Sequence, residues 1–276
     1  MVDTRDFHNA DRDDIKKEYK FFLKTVQSSA IRTLVDAMKE IVIDTNIVFD
    51  EQGMLVKAVD EPHNAMVHVR LNANRFEEYV CNGVVTCGVS LLHLYRLLRT
   101  MSTTDVLMLY MHKSQNKLEI RIENNRKAKT SHYKLSTLDL PTTTIGGTSP
   151  EFEHAISIES SEFHKIVREM KDLSQHLEIQ CHSNTLRFQI VDGAFAEASV
   201  NLGVESSNEG TSDVVVQGVF SLKYLSMFTR CSPLSKKVNI FLKNDYPLVL
   251  QYDVSDLGTI QLLLMMEDDP RATTTL

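Results

Sequence analysis

Four pairs of basic residues carry the most regular chemistry in this chain. Arg32 and Lys39 are seven residues apart, as are Lys223 and Arg230, whereas Arg96 and Arg99 are three apart, as are Lys165 and Arg168. Helical residues advance about 100° each, so a spacing of seven places two side chains within roughly 20° of one another and a spacing of three within roughly 60°. Each pair therefore forms a positive stripe on its helix. A guanidinium or ammonium on a solvated stripe attracts phosphate without regard to base sequence. On one helix such a pair is an ordinary solvated face, and Asp36, Glu40, Glu162 and Glu169 offset part of the charge. Recurrence on four helices is what points to a nucleic-acid backbone. No cluster of Asn, Gln and Arg at a helix start accompanies the pairs, so contact without base reading is expected.

Other chemistries lack their residues. The ten His are scattered without a His-Glu-x-x-His, and Cys81 and Cys87 have no second pair at zinc-ligand spacing. Gly146 and Gly147 precede Thr148 and Ser149 without the Gly-Lys-Ser/Thr of a phosphate loop, and there is no Gly-x-Ser-x-Gly. No enzymatic activity, cofactor or metal is expected.

The helices that would carry the pairs are legible from their apolar spacing. One runs to about residue 41 with Ser28 or Ser29 as N-cap and a stripe of Ile31, Leu34, Val35, Met38 and Ile41. A second covers about 90–101 with Leu91, Leu94, Leu97 and Leu98 apolar. The third, capped by Ser160 or Ser161, reaches about residue 173 with Phe163, Ile166, Val167 and Met170, and the fourth covers 222–231. Short strand-like runs surround them in the same order in both halves, at 21–26, 43–49, 54–59, 66–71, 76–81, 106–111, 117–123 and 131–135 and then at 155–158, 177–181, 185–191, 197–202, 214–219, 238–242, 248–254 and 258–265. Many short strands with four modest helices predict an α+β fold with antiparallel sheets covered by helices on one face. The segment 135–154, with Pro141, a Thr run, Gly146, Gly147 and Pro150, has no period and reads as a connector. The expected organisation is a flexible N-terminal extension at 1–19, one domain at 20–134, the connector at 135–154, a second domain at 155–266 and a tail at 267–276.

With 276 residues the chain is long enough for two domains. Its net charge of −7 argues against a generic basic nucleic-acid binder and leaves the positive potential to be concentrated on one surface. No apolar run is long enough to span a membrane, so no membrane partner is expected. Four Cys are too few for a disulfide scaffold and fit free thiols in a reducing compartment.

Residues 219–265 resemble the C-terminal part of the proliferating cell nuclear antigen family, the sliding clamps of DNA replication. The carriers are FSLKYL at 220–225, Phe228 with Thr229, SPLS at 232–235, YPLV at 246–249 and DLG at 256–258. Upstream, VKAVD at 56–60 with His63, and YKL at 133–135 with Leu138 and Asp139, resemble the family's first-domain loop and the start of its connector. The resemblance extends from about residue 19 to 266.

It implies a DNA clamp fold in which two similar domains per subunit, closed head to tail as a homotrimer, place the sheets outside and twelve helices inside. It implies double-stranded DNA as a non-specific partner, with Arg32, Lys39, Arg96, Arg99, Lys165, Arg168, Lys223 and Arg230 at the DNA-facing positions. By the same resemblance Ser131, Tyr133 and Leu135 from one half and Glu197, Ser199 and Asn201 from the other are the subunit contacts. A hydrophobic groove for short peptides of DNA polymerase, clamp loader and other replication proteins falls on Val59, His63, Met66, Leu140, Ile145, Pro150, Phe152, Pro247, Leu263 and Met265. Asn64 stands where an aliphatic residue is usual, and Leu263 where an aromatic is. The implied role is a polymerase processivity factor in the nucleus, or at a site of viral DNA replication. A monomeric clamp-like DNA binder and one subunit of a heterotrimeric checkpoint-type clamp are the alternatives.

Overall fold

The computed structural model describes residues 12–142, 154–182, 185–191, 193, 195–203 and 215–267. The chain divides into two units: Met1–Ala58 with His68–Thr144 and Val254–Thr259, and Val59–Val67 with Ile145–Asp253 and Ile260–Leu276. In the first part of the chain α1 (Arg12–Glu18) leads into β1 (Tyr19–Thr25) and α2 (Ser28–Met38). Then come β2 (Asp44–Asp50), β3 (Gly53–Val59), β4 (Ala65–Asn72), β5 (Glu78–Cys81) and β6 (Val85–Ser90). They are followed by α3 (Leu91–Leu98), β7 (Val106–His112), β8 (Lys117–Asn124) and β9 (Lys129–Ser136). One sheet has the order β5-β1-β7-β8-β9, and β4-β3-β2-β6 run side by side in another.

The later part of the chain repeats the plan. It comprises β10 (His154–Glu159), α4 (Ser160–Lys171), β11 (His176–His182), β12 (Thr185–Val191) and β13 (Ser199–Gly203). After these come β14 (Val216–Ser221), α5 (Leu222–Phe228), β15 (Lys237–Leu242), β16 (Leu248–Val254) and β17 (Gly258–Leu264). Here the orders are β13-β12-β11-β14 and β10-β15-β16-β17. Neighbouring strands pair antiparallel, as with β8 on β9 and β12 on β13.

The expected apolar stripes are the buried ones, except that Leu97 of α3 is half-buried. Ile31, Leu34, Val35 and Met38 of α2 are buried, as are Phe163, Ile166, Val167 and Met170 of α4. Each such side chain contributes about 1.5–3 kcal/mol by leaving water, which is what holds short helices that would be marginal alone.

Four expectations change. Ser28 and Ser160 are the first residues of their helices and not caps; the N-cap positions are Gln27 and Glu159, and neither side chain makes a cap hydrogen bond. The helices end two or three residues earlier than expected, α2 at Met38, α3 at Leu98, α4 at Lys171 and α5 at Phe228, where the chain continues as a 3-10 turn, Thr229–Leu234, that includes Pro233. Thr229 Oγ1 donates to the Ser226 carbonyl at 2.9 Å, and Pro233 has no amide to extend an α-helical ladder. Strand β6 has no counterpart among the strands expected from sequence. Finally, residues 12–18 of the expected flexible extension form α1. Ile15 is 4% exposed there and packs with Tyr19, Phe22, Val80, Met108 and Tyr110. A single apolar residue in two turns gives no periodic signal, and burial against the sheet supplies what propensity does not. The expected tails at 1–11 and 268–276 lie outside the described residues.

Candidate nucleic-acid interface

In the first unit α2 and α3 pack together, and their basic residues are held differently. Arg96 and Arg99 are exposed. Arg32 is half-buried and donates from Nη1 to the Met101 carbonyl at 2.5 Å, satisfying a carbonyl just beyond the C-terminal end of α3. Lys39 is the most constrained. Its side chain is 12% exposed, its Nζ lies 2.9 Å from Asp36 Oδ1 and also contacts Glu40, and it sits 4.7 Å from the centre of the Tyr95 ring. Burial disfavours its charge, but the hydrogen bonds to Glu40 and Asp36 outweigh this and raise its pKa. Lys39 thus ties α2 to α3 as well as carrying charge.

In the second unit Lys165, Arg168, Lys223 and Arg230 are all exposed. Arg230 lies in the 3-10 turn, so the helical spacing that placed it with Lys223 does not apply. Sequence reasoning missed Lys171. It is exposed in the last turn of α4, three residues after Arg168, and its Nζ donates to Ser226 Oγ of α5 at 3.0 Å. The run Lys165, Arg168, Lys171 was the available signal.

The end strands come next. β9 ends its sheet and carries Ser131, Tyr133 and Leu135, all half-buried. β13 ends the four-stranded sheet with Ser199 and Asn201 exposed, and Glu197 is exposed just before it. Among the described strands β9 has only β8 as neighbour and β13 only β12. An end strand of this kind presents a row of backbone donors and acceptors to another chain.

The groove positions are partly described. Val59, Met66, Pro247 and Leu263 are half-buried, and His63 and Met265 are exposed, all in the second unit. Met265 N donates to the Asn64 carbonyl at 2.9 Å, which fixes the end of β17 to the turn before β4. That turn is anchored by Asp60, only 5% exposed, whose Oδ1 accepts from Ala65 N at 2.7 Å and whose Oδ2 accepts from Tyr224 OH at 2.5 Å. Burial first, and then the Asp60 carboxylate, raises the Tyr224 pKa. His63 lies in the same turn with φ of 63°. Sequence reasoning did not find the Asp60–Tyr224 pair, and a separation of 164 residues gives no local signal.

Leu140 is half-buried and belongs to the first unit. The chain before it lies along β6: Leu138 N donates to the Gly88 carbonyl at 2.8 Å, and Asn46 Nδ2 donates to the carbonyls of Leu140 at 3.4 Å and Pro141 at 3.2 Å. A Cβ on Gly88 would stand 2.3 Å from the Leu138 carbonyl oxygen, so the approach requires glycine. Ile145, Pro150 and Phe152 lie outside the described residues.

Residues 20–143 match the N-terminal domain of proliferating cell nuclear antigen, and residues 147–267 match its C-terminal domain. The chain belongs to the proliferating cell nuclear antigen family. It is 29% identical over 252 residues to a probable DNA polymerase sliding clamp of Paramecium bursaria Chlorella virus 1, covering 88% of this chain and 95% of that relative. It is 29% identical over 245 residues to the proliferating cell nuclear antigen of Chaetomium thermophilum, covering 86% of this chain and 94% of the relative. The second proliferating cell nuclear antigen of Drosophila melanogaster is 27% identical over 240 residues, at 86% and 94% coverage. The match to proliferating cell nuclear antigen begins at residue 20, so α1 precedes the shared fold.

Proposed function

We propose that this chain is a DNA sliding clamp and polymerase processivity factor, closed head to tail as a homotrimer around duplex DNA. The reading is carried by the match to both domains of proliferating cell nuclear antigen, with β9 and β13, two of the end strands of the described sheets, as the edges that would meet: among the described strands each has one open side. Two different open edges on one chain suit a heterologous contact, and a heterologous contact closes into a ring when the rotation returns to its start.

The basic helices then face the enclosed DNA. A threaded duplex needs no tight binding, and tight binding would impede sliding, so a few mobile Arg and Lys contacts are enough. A chain of net charge −7 is a poor monomeric DNA binder but a suitable ring, because the acidic remainder repels DNA from other surfaces. This favours the encircling reading over an open monomer. Within the second unit the half-buried Val59, Met66, Pro247 and Leu263 and the exposed His63 and Met265 are the docking positions for short peptides of polymerase, clamp loader and other replication proteins. Its place of action is the nucleus or a site of viral DNA replication, and the clamp itself contributes no catalytic step.

Light scattering across a concentration series tests this. A solution mass near three times 31.4 kDa supports the ring. A mass near 31.4 kDa at every concentration sinks it in favour of a monomer or a missing heteromeric partner.

A further inference from the structure

The end strand β9 has no buried side chain; all eight of its residues are half-buried or exposed. Every other strand of its sheet has at least two buried residues. Apolar burial therefore cannot fix where β9 sits along β8. At one end the short connection to β8 sets the register, with Asn124 Oδ1 accepting from Lys127 N at 2.9 Å and Ala128 at a φ of 46°; away from that turn the backbone ladder alone would tolerate a slip, because each register offers similar hydrogen bonds.

Between its ends, one buried group distinguishes the registers. Glu119 of β8 is 0% exposed, a position where a lone carboxylate is costly. It stands directly opposite Lys134 of β9 on one side and Tyr110 of β7 on the other. Its Oε2 lies 2.8 Å from His132 Nε2 and 3.0 Å from Lys134 Nζ. His132 Nε2 also lies 3.1 Å from Tyr110 OH, and Glu119 Oε1 faces His112 Nε2 at 3.7 Å. A slip of two residues would replace Lys134 by Ser136 or by His132 opposite the carboxylate, and a slip of one would turn both basic groups to the other face.

We propose that Glu119 is a positioning residue for self-assembly: it pins the register of β9 through His132 and Lys134. The alternate residues Ser131, Tyr133 and Leu135 are thereby presented to a second copy of the chain. This rests on the ring reading above for its consequence, but the pinning itself is a property of the single chain.

The test uses the full chain with Glu119→Gln and Lys134→Met, followed by hydrogen exchange and light scattering. Glu119→Gln is expected to speed amide exchange in 129–136 about tenfold or more and to move the assembly midpoint to about tenfold higher concentration, with exchange in β7, β11 and α4 unchanged. Lys134→Met leaves His132 on the carboxylate and is expected to move both readouts the same way by less. The proposal is overturned if β9 exchange stays within twofold of the parent chain in both variants. It is equally overturned if β7 accelerates as much as β9, since Glu119 is then only a fold-stability residue. A parent chain that is monomeric at every concentration would sink the ring reading, while the β9 exchange comparison would still decide the role of Glu119.

Discussion

The phenolic oxygen of Tyr224, on α5, lies 2.5 Å from Oδ2 of the buried Asp60, in the turn between β3 and β4. The bond joins one of the basic helices to the turn that carries His63, between Val59 at the end of β3 and Met66 in β4. Tyr224→Phe removes the phenolic donor to Oδ2 while Ala65 N still donates to Oδ1, and it is expected to cost about 1–3 kcal/mol in urea unfolding. The pH dependence follows from the raised Tyr224 pKa. An unfolded tyrosine ionises near pH 10 and this one at a higher pH, so its contribution is complete below the unfolded pKa and declines as pH rises above it. Tyr224→Phe should therefore show a shallower alkaline loss than the parent chain; identical slopes would mean Tyr224 is not responsible.

Gly88 and Leu138 set the start of the connector. Gly88→Ala places a methyl against the Leu138 carbonyl and is expected to release residues 138–141 from β6, at a cost of about 1–3 kcal/mol. Hydrogen exchange at Leu138 reports the release directly. Asn46→Ala, which removes only the bonds to Leu140 and Pro141, should have a smaller effect on the same amide. Unchanged protection in Gly88→Ala would show that the strand edge adjusts.

What the sequence made legible was whatever had a period. Ile31, Leu34, Val35 and Met38 announce α2, and Phe163, Ile166, Val167 and Met170 announce α4, because one buried face imposes a spacing of three and four. The repeat of the chain's two parts follows from the same signals. Contacts between distant segments were illegible. Nothing near Lys39 indicates that the Tyr95 ring lies beside it, and nothing near Glu119 indicates Lys134 and His132 across the strand. The groove was reached only through family resemblance. Half-exposed apolar residues such as Leu263 and Met66 have the same sequence signature as core strands.

Ile15 provides a separate test of the segment before the shared fold. At 4% exposure among Tyr19, Phe22, Val80, Met108 and Tyr110, its truncation in Ile15→Ala should cost about 2–4 kcal/mol, measured by thermal or urea unfolding. A change below about 0.5 kcal/mol would show that α1 adds nothing to the first unit.

The basic residues divide by what else they do. Arg96, Arg99, Lys165 and Arg168 are exposed, so Arg96→Ala with Arg168→Ala should leave unfolding within about 0.5 kcal/mol of the parent chain. Each phosphate that is no longer neutralised should lower the slope of log affinity against log salt by about 0.9, and polymerase stimulation should fall with it. Lys39→Ala should behave differently. It removes a side chain held by Asp36, Glu40 and the Tyr95 ring, so the tie between α2 and α3 is broken and stability falls by about 1 kcal/mol, with little change in salt slope. The reverse pattern, with Lys39→Ala altering the salt slope and the double variant not, would show that the constrained lysine and not the exposed arginines meets the phosphates.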